Sequence, residues 1–339
     1  MIRNILVVSV NWLGDAVFST PVFHALKEHY APCRVSALCV PRVKDVLAMC
    51  PDIDEIIVYD EEGADRSCFR KMKLAAQLGR MKFDAVFLLR RSLSRTLLCC
   101  FAGIPERIGF ASGAWSRLLT HVVSDQGNDD LHRSDVYLKV VESFGVRVRD
   151  RRCSLRPAQA EVDKWRSYLS AAGVKPGEKV IAVNTGGNWL LKQWPPEKFA
   201  AFIGEIYKNN MGRVILPGAE RDFARVRRIA DLSGVGPLAV AGETGLKGLA
   251  GLLSCADLLV TADTGPLHLA SALGVPVVAI FGPTRPEITG PRGKGPARIV
   301  FKEMTCNRAP CYYLECPDNR CMKSVEVEDV IKAVQAIQG

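Results

Sequence analysis

The stretch LLVTADTGPLHLASALGVPVVAIF, residues 258–281, decides the fold. Leu258 to Thr261 is an apolar run of strand length, Pro266 to Leu273 has helical period, and Val275 to Phe281 is a second apolar run. Neither run alternates with polar residues, so each predicts a strand buried on both faces, as in a parallel sheet covered by helices. The turn between, Thr261-Ala262-Asp263-Thr264-Gly265, is short and polar, and Pro266 sits where a helix tolerates a missing N–H.

The same alternation runs outward in both directions. Ahead of it lie a helix over Ala160–Ala171, a strand over Val180–Asn184, a helix over Pro196–Tyr207, a strand over Arg213–Leu216 and helices over Arg221–Leu232 and Gly245–Ser254. Earlier still, strands at Ile5–Val10, Arg34–Val40, Glu55–Tyr59 and Ala85–Leu89 alternate with helices at Ala16–Tyr30, Arg42–Met49, Ser67–Gly79 and Ser94–Ala102. Strands near Arg107–Phe110 and His121–Val123 and a helix over Ser134–Phe144 close that half. Arg147 to Pro157, rich in arginine and poor in apolar residues, is the linker candidate. The expectation is an α/β chain of two parallel-sheet domains, residues 1–156 and 157–322, with a C-terminal helix over 323–339.

Composition bounds the function. With 339 residues, 48% hydrophobic and 24% charged, the chain is a folded protein of about two domains. Lys+Arg 45 against Asp+Glu 36 leaves +9, which suits acidic partners such as phosphates, nucleotides or anionic lipid. No recognised nucleic-acid module accompanies the charge, so nucleic acid is not expected as a partner. The opening residues lack the pattern of a signal peptide, no apolar run reaches membrane-spanning length, and the chain is expected in the cytoplasm. Of the 12 cysteines, Cys39, Cys99, Cys100 and Cys255 lie in apolar runs and read as buried thiols.

In open α/β sheets the chemistry follows the carboxyl ends of the strands. The first such loop, Asn11-Trp12-Leu13-Gly14-Asp15, has one glycine where a dinucleotide fingerprint needs three, which argues against a nicotinamide or flavin enzyme. Its Asp15 is either a helix cap or a general base. In the 261–268 loop, Thr264 and Gly265 at a helix start offer backbone N–H groups to an anion, with Asp263 before them and His268 about one turn on. A plain capped helix is the alternative there. Thr185, in Thr185-Gly186-Gly187-Asn188, and Lys192 follow another strand, and Glu220 follows the strand ending at Leu216. Lys192 fits a phosphate and Glu220 the hydroxyls of a ribose, unless they are a solvated lysine and a first-turn acid. These loops together suggest a nucleoside diphosphate in the second half.

The ordered set NWLGDAVFSTP (Asn11–Pro21), LRRSLSRTLLCCFAGIPERIGF (Leu89–Phe110), TGGNWLLKQWP (Thr185–Pro195), PGAER (Pro217–Arg221) and TADTGPLHLASALGVPVVAIFGP (Thr261–Pro283) resembles glycosyltransferase family 9. Within that family of lipopolysaccharide heptosyltransferases it looks closest to the ADP-heptose-using type II. The resemblance implies a GT-B fold of two Rossmann-like domains, with acceptor on the N-terminal domain and ADP-heptose on the C-terminal one. It puts Thr185, Lys192, Glu220, Asp263, Thr264, Gly265 and His268 at donor positions and Asp15 at the catalytic base. It departs at Gly186, where the family often has a second hydroxyl residue.

Arg90, Arg91 and Arg95, after the strand at Ala85–Leu89, are then placed to grip phosphate or carboxylate groups of a lipopolysaccharide inner core at the inner face of the cytoplasmic membrane. A second cluster, Arg66, Arg70, Lys71, Lys73, Arg80 and Lys82, reads as a solvated helix face. No Asp-x-Asp metal signature stands at a strand end, and a helix start with a lysine can supply the positive field, so a metal is not expected as a requirement for transfer. Cys306, Cys311, Cys316 and Cys321 recur every five residues. Four thiols can hold a structural metal, but zinc pairs are usually closer, and reduced thiols or a disulfide remain open. Two other functions fit the same domains: a GT-B sugar-nucleotide epimerase, and a nucleotide-binding regulatory protein without turnover.

Overall fold

The computed structural model describes residues 2–111, 113–303, 306, 311 and 316–338. The chain divides into two compact units, Met1–Leu155 and Arg156–Gly339.

The first unit runs β1 (Asn4–Val8), α1 (Leu13–Phe18), α2 (Thr20–Tyr30), β2 (Arg34–Cys39), α3 (Lys44–Leu47), β3 (Glu55–Val58), α4 (Cys68–Arg80), β4 (Ala85–Leu88), α5 (Leu93–Phe101), β5 (Glu106–Phe110), β6 (His121–Val123) and α6 (Arg133–Glu142). Its six strands are all parallel, in the order β3-β2-β1-β4-β5-β6. The unbroken apolar run of β1 explains its central place. Ile5, Leu6, Val7 and Val8 are fully buried, so both faces of the strand are covered.

The second unit repeats the plan with α7 (Gln159–Ala171), β7 (Val180–Asn184), α8 (Pro196–Lys208), β8 (Arg213–Leu216), α9 (Phe223–Ser233), β9 (Leu238–Ala239), α10 (Leu246–Leu253) and β10 (Leu258–Ala262). It continues with α11 (Gly265–Ala272), β11 (Val277–Ile280), α12 (Pro286–Thr289), β12 (Ala297–Val300), α13 (Arg320–Lys323) and α14 (Val327–Gln338). The order β12-β11-β10-β7-β8-β9 is again all parallel. This is the α/β architecture of two Rossmann-like domains that the sequence implies. The last helix, set apart in the sequence reading, buries Val330 and Val334 in the core of the second unit, each contributing about 1.5–3 kcal/mol.

Each sheet reverses its strand order once, between β1 and β4 and between β7 and β10. Chains leaving two neighbouring strands on opposite faces open a crevice at the carboxyl edge there. The loops carrying Asp15, Arg90, Thr185 and Asp263 follow these strands, whereas the Glu220 loop follows β8 beside them.

Three details differ from the sequence reading. The helix expected over Ala16–Tyr30 is broken at Ser19, because Pro21 has no N–H to give and Thr20 Oγ1 donates to Val17 O at 2.8 Å instead. The edge strands β9 and β12 had not been expected; they are short and part-exposed, so they lack the long apolar run of a central strand. Cys39 and Cys99 are buried, and burial pushes their thiols up to about 11 and about 12, whereas Cys100 and Cys255 are only half-buried. Among the described residues no two cysteines are joined by a disulfide.

Candidate functional site

In the first unit the turn after β1 leads into α1, whose N-cap position is Trp12, with no side-chain cap. Asp15 lies in the first turn but is not the cap. Its half-buried carboxylate accepts the Tyr137 hydroxyl, Oη to Oδ1, at 2.7 Å. Tyr137 comes from α6, is buried, and was not singled out by sequence. A tyrosine on the apolar face of a helix needs a partner for its hydroxyl, and that was the one available signal. Burial, reinforced by the Asp15 charge, pushes the Tyr137 phenol well above its ordinary value, while Arg133 and Arg90 oppose the shift. The phenol therefore stays protonated and is a fixed donor to Asp15.

The three arginines after β4 have separate fates. Arg95, expected among the acceptor-gripping groups, is 1% exposed. It donates to Ser9 O at 3.0 Å, Asn11 Oδ1 at 2.9 Å and Glu61 Oε1 at 2.7 Å, so it braces the Asp15 loop from beneath. The run of leucines and cysteines around it on α5 turned it inward, and Glu61 neutralises it there. Arg91 pairs with Asp125. Arg90 is exposed, makes no ion pair among the described residues, and its charge reaches Tyr137. Arg90, Arg91, Ser92, Thr96, Gly109 and Trp115 help line a small, open pocket.

In the second unit Asp263, at the end of β10, is 5% exposed and saturated. Its Oδ2 accepts from Lys192 Nζ at 2.6 Å, Thr284 Oγ1 at 2.7 Å and Thr289 Oγ1 at 3.3 Å, and His268 Nε2 stands 3.5 Å from Oδ1. Burial opposes its charge, but the His268 hydrogen bond and the Lys192 ammonium outweigh burial and hold the carboxyl well below the usual range. Lys192 is thus anchored by Asp263, with its ammonium also 5.2 Å from the centre of the Trp189 ring. A lysine carries three donors, so it keeps N–H capacity for a phosphate. Thr284, in the loop after β11, and Thr289, at the end of α12, were passed over by the sequence reading, and both lock the carboxylate.

At the start of α11 Thr264 is the N-cap residue and makes no side-chain cap bond. Its hydroxyl lies 3.1 Å from Thr261 Oγ1 and 3.3 Å from Asn184 Nδ2. Gly265 begins the helix, where backbone N–H groups have no partner within the helix. Just after β7, Thr185 is buried, and its Oγ1 has no hydrogen-bond partner among the described residues. Arg225 of α9 pins that loop by donating to Thr185 O and Trp194 O, both at 3.0 Å. A Cβ at Gly186 would meet the Asp222 carboxyl at 2.9 Å, so Asp222 fills the space a side chain would need. Glu220 follows β8, exposed and without an ion pair among the described residues.

Among the described residues no group of three or more His, Cys, Asp or Glu is placed to hold a metal ion. Cys306, Cys311, Cys316 and Cys321 form no disulfide among the described residues. Burial raises Cys321, with Cys316 and Cys311 adding to the shift.

A family model described as glycosyltransferase family 9 (heptosyltransferase) matches residues 71–317. A lipooligosaccharide heptosyltransferase 2 of Campylobacter jejuni is 24% identical over 332 residues, covering 96% of both chains. Among solved structures, a family 9 glycosyl transferase from Veillonella parvula superposes with a TM-score of 0.85 at 23% identity, covering 99% of this chain and 97% of that one. The E. coli ADP-heptose lps heptosyltransferase II superposes with 0.79 at 21% identity, covering 99% and 98%.

Proposed function

The chain belongs to glycosyltransferase family 9, and from that premise we propose that it is a heptosyltransferase of lipopolysaccharide core synthesis that takes heptose from ADP-heptose with inversion. Asp15 accepts the proton of an acceptor hydroxyl as that oxygen attacks the anomeric carbon from the face opposite ADP. The bond from the anomeric carbon to the phosphate oxygen breaks, and ADP leaves with the electron pair. One carboxylate suffices, because no covalent glycosyl intermediate is formed.

The observation that carries the base assignment is the Asp15 environment. The carboxylate is half-buried, and its hydrogen bond from Tyr137 aims it while leaving acceptor capacity on the other oxygen. Lys192 and the N–H groups at Thr264 and Gly265 counter the charge that develops on the diphosphate. The unpartnered Thr185 hydroxyl is a further donor to it, His268 holds Asp263, and Glu220 takes the ribose hydroxyls. Arg90 is the stronger acceptor-binding candidate. Arg91 becomes available to an acidic sugar only by giving up Asp125. No helix among the described residues is long and apolar enough to cross a membrane. We infer peripheral action at the cytoplasmic face of the inner membrane, where a lipid-borne acceptor is presented.

Incubating the protein with ADP-heptose and a truncated lipopolysaccharide should release ADP only when both are present. Release without acceptor, or an isomerised sugar nucleotide, would point to an epimerase, and ADP binding without turnover to a regulatory protein. Asp15→Asn should lower turnover by about 10²- to 10⁴-fold with ADP affinity kept. Turnover near wild type in that variant removes Asp15 as the base.

A further inference from the structure

The helix α4 carries a surface that the transfer reaction does not use. It turns Leu74, Ala75 and Leu78 into the core of the first unit, leaves Lys71 and Gly79 half-buried, and presents the other residues outward. On the outward side Phe69 is 78% exposed and Met72 51%. Around them stand Arg66, Arg70, Lys71, Lys73, Arg80 and Lys82, and no Asp or Glu occurs from residue 66 to residue 83. An exposed apolar residue is ordinary when isolated. Here two of them, one turn apart, sit inside a patch of one charge sign.

Two observations show that this charge does not serve the fold. Among the described residues none of the six cations makes an ion pair, whereas Lys27, Arg34, Arg42, Arg91, Arg95, Arg149, Arg151 and Arg152 in the same unit do. The first turn of α4 has no acid and places Arg70 and Lys71 near the positive end of the helix dipole, where cations are unfavourable.

We propose that this face of α4 docks on an anionic lipid bilayer, with Phe69 and Met72 entering the headgroup boundary and the six cations pairing with lipid phosphates. A convex helix face suits a flat surface, and a thioether and a phenyl ring gain more from hydrocarbon than from a polar strand. The helix follows β3, so its Phe69 end lies at the carboxyl edge of the sheet. The loop before it supplies Glu61, which holds Arg95 and through it the Asn11 turn. On the heptosyltransferase reading, which the link to catalysis rests on, docking brings that edge to a lipid-borne acceptor.

The test is co-sedimentation of the full chain with vesicles of phosphatidylcholine alone and of phosphatidylcholine mixed with phosphatidylglycerol. Binding should require the anionic lipid and weaken with added salt. The double variant Arg70→Glu with Lys73→Glu should weaken it by on the order of tenfold or more. Phe69→Ser with Met72→Ser should weaken it by about tenfold while ADP affinity and the unfolding midpoint stay unchanged. If either double variant folds poorly, the single exposed change Lys73→Gln replaces it, with a smaller loss expected. Equal binding to both vesicle types, variants that partition like wild type, or a nucleic acid that outcompetes the anionic vesicles would each overturn the proposal. Absence of heptose transfer in the wild type would instead count against the function proposed above, since vesicle binding is read without substrate.

Discussion

Asp15 and Asp263 occupy comparable places: each follows a strand beside the switch point of its sheet, Asp15 in the first turn of α1 and Asp263 just ahead of α11. Their surroundings are opposite. Asp263 is buried under a lysine, two threonine hydroxyls and a histidine, whereas Asp15 is half-buried and takes one tyrosine hydroxyl. A carboxylate with its lone pairs filled fixes geometry and holds a cation. One with capacity left over can take a proton. Position in the fold marks both residues as candidates, and only the filling of their lone pairs separates their roles.

The largest effect that tests this contrast is expected at Asp263. Asp263→Asn leaves the Lys192 ammonium in a mostly buried place without its counter-charge, and breaking such a pair costs about 3–5 kcal/mol. Thermal unfolding should show that loss, and ADP titration should weaken with it. The pH dependence has a defined sign. The folded carboxyl is held below its unfolded value, so its contribution is fully present above about pH 4 and fades as acid carries the pH down through the folded value. The stability gap between wild type and Asp263→Asn should therefore narrow on acidification. A constant gap from neutral to strongly acidic pH would mean that Asp263 is not the charged anchor described.

The halves of this comparison were not equally legible in the sequence. The strands at Ile5–Val8 and Leu258–Thr261 could be read because burial on both faces leaves a continuous apolar run. Asp15, Asp263, Thr264 and Lys192 could be singled out as candidates because strand ends are where ligands meet such sheets. The partners could not. Tyr137 lies 122 residues from Asp15, and Lys192 lies 71 from Asp263. Nothing local to either residue announces pairing over such separations, since strand order makes them neighbours. Arg95 shows the same limit: one strand end displays three arginines, and only packing decides that one braces the Asn11 turn, one pairs with Asp125 and one is left exposed.

A smaller effect is expected at Tyr137. Tyr137→Phe removes one hydrogen bond to a charged acceptor, and water can reach the half-buried carboxylate in its place. Turnover should fall by about tenfold, with KM for ADP-heptose little changed. A fall in acceptor or donor affinity without a fall in turnover would make Tyr137 a packing residue rather than one that aims Asp15.

The smallest change tests the other side of the contrast, because Thr185 is a buried hydroxyl with nothing to bond. A group of this kind costs folding free energy wherever it is kept from water without a partner. Thr185→Val has nearly the same shape and removes that cost, so the unfolding midpoint should hold or rise slightly. If the hydroxyl instead waits for a diphosphate oxygen, ADP affinity should fall by about fivefold to tenfold in the same variant. Opposite signs in stability and affinity are the signature of a group kept for a ligand. Equal affinity would leave Thr185 as a strand-end residue of the fold, and the diphosphate would then rest on Lys192 and the start of α11.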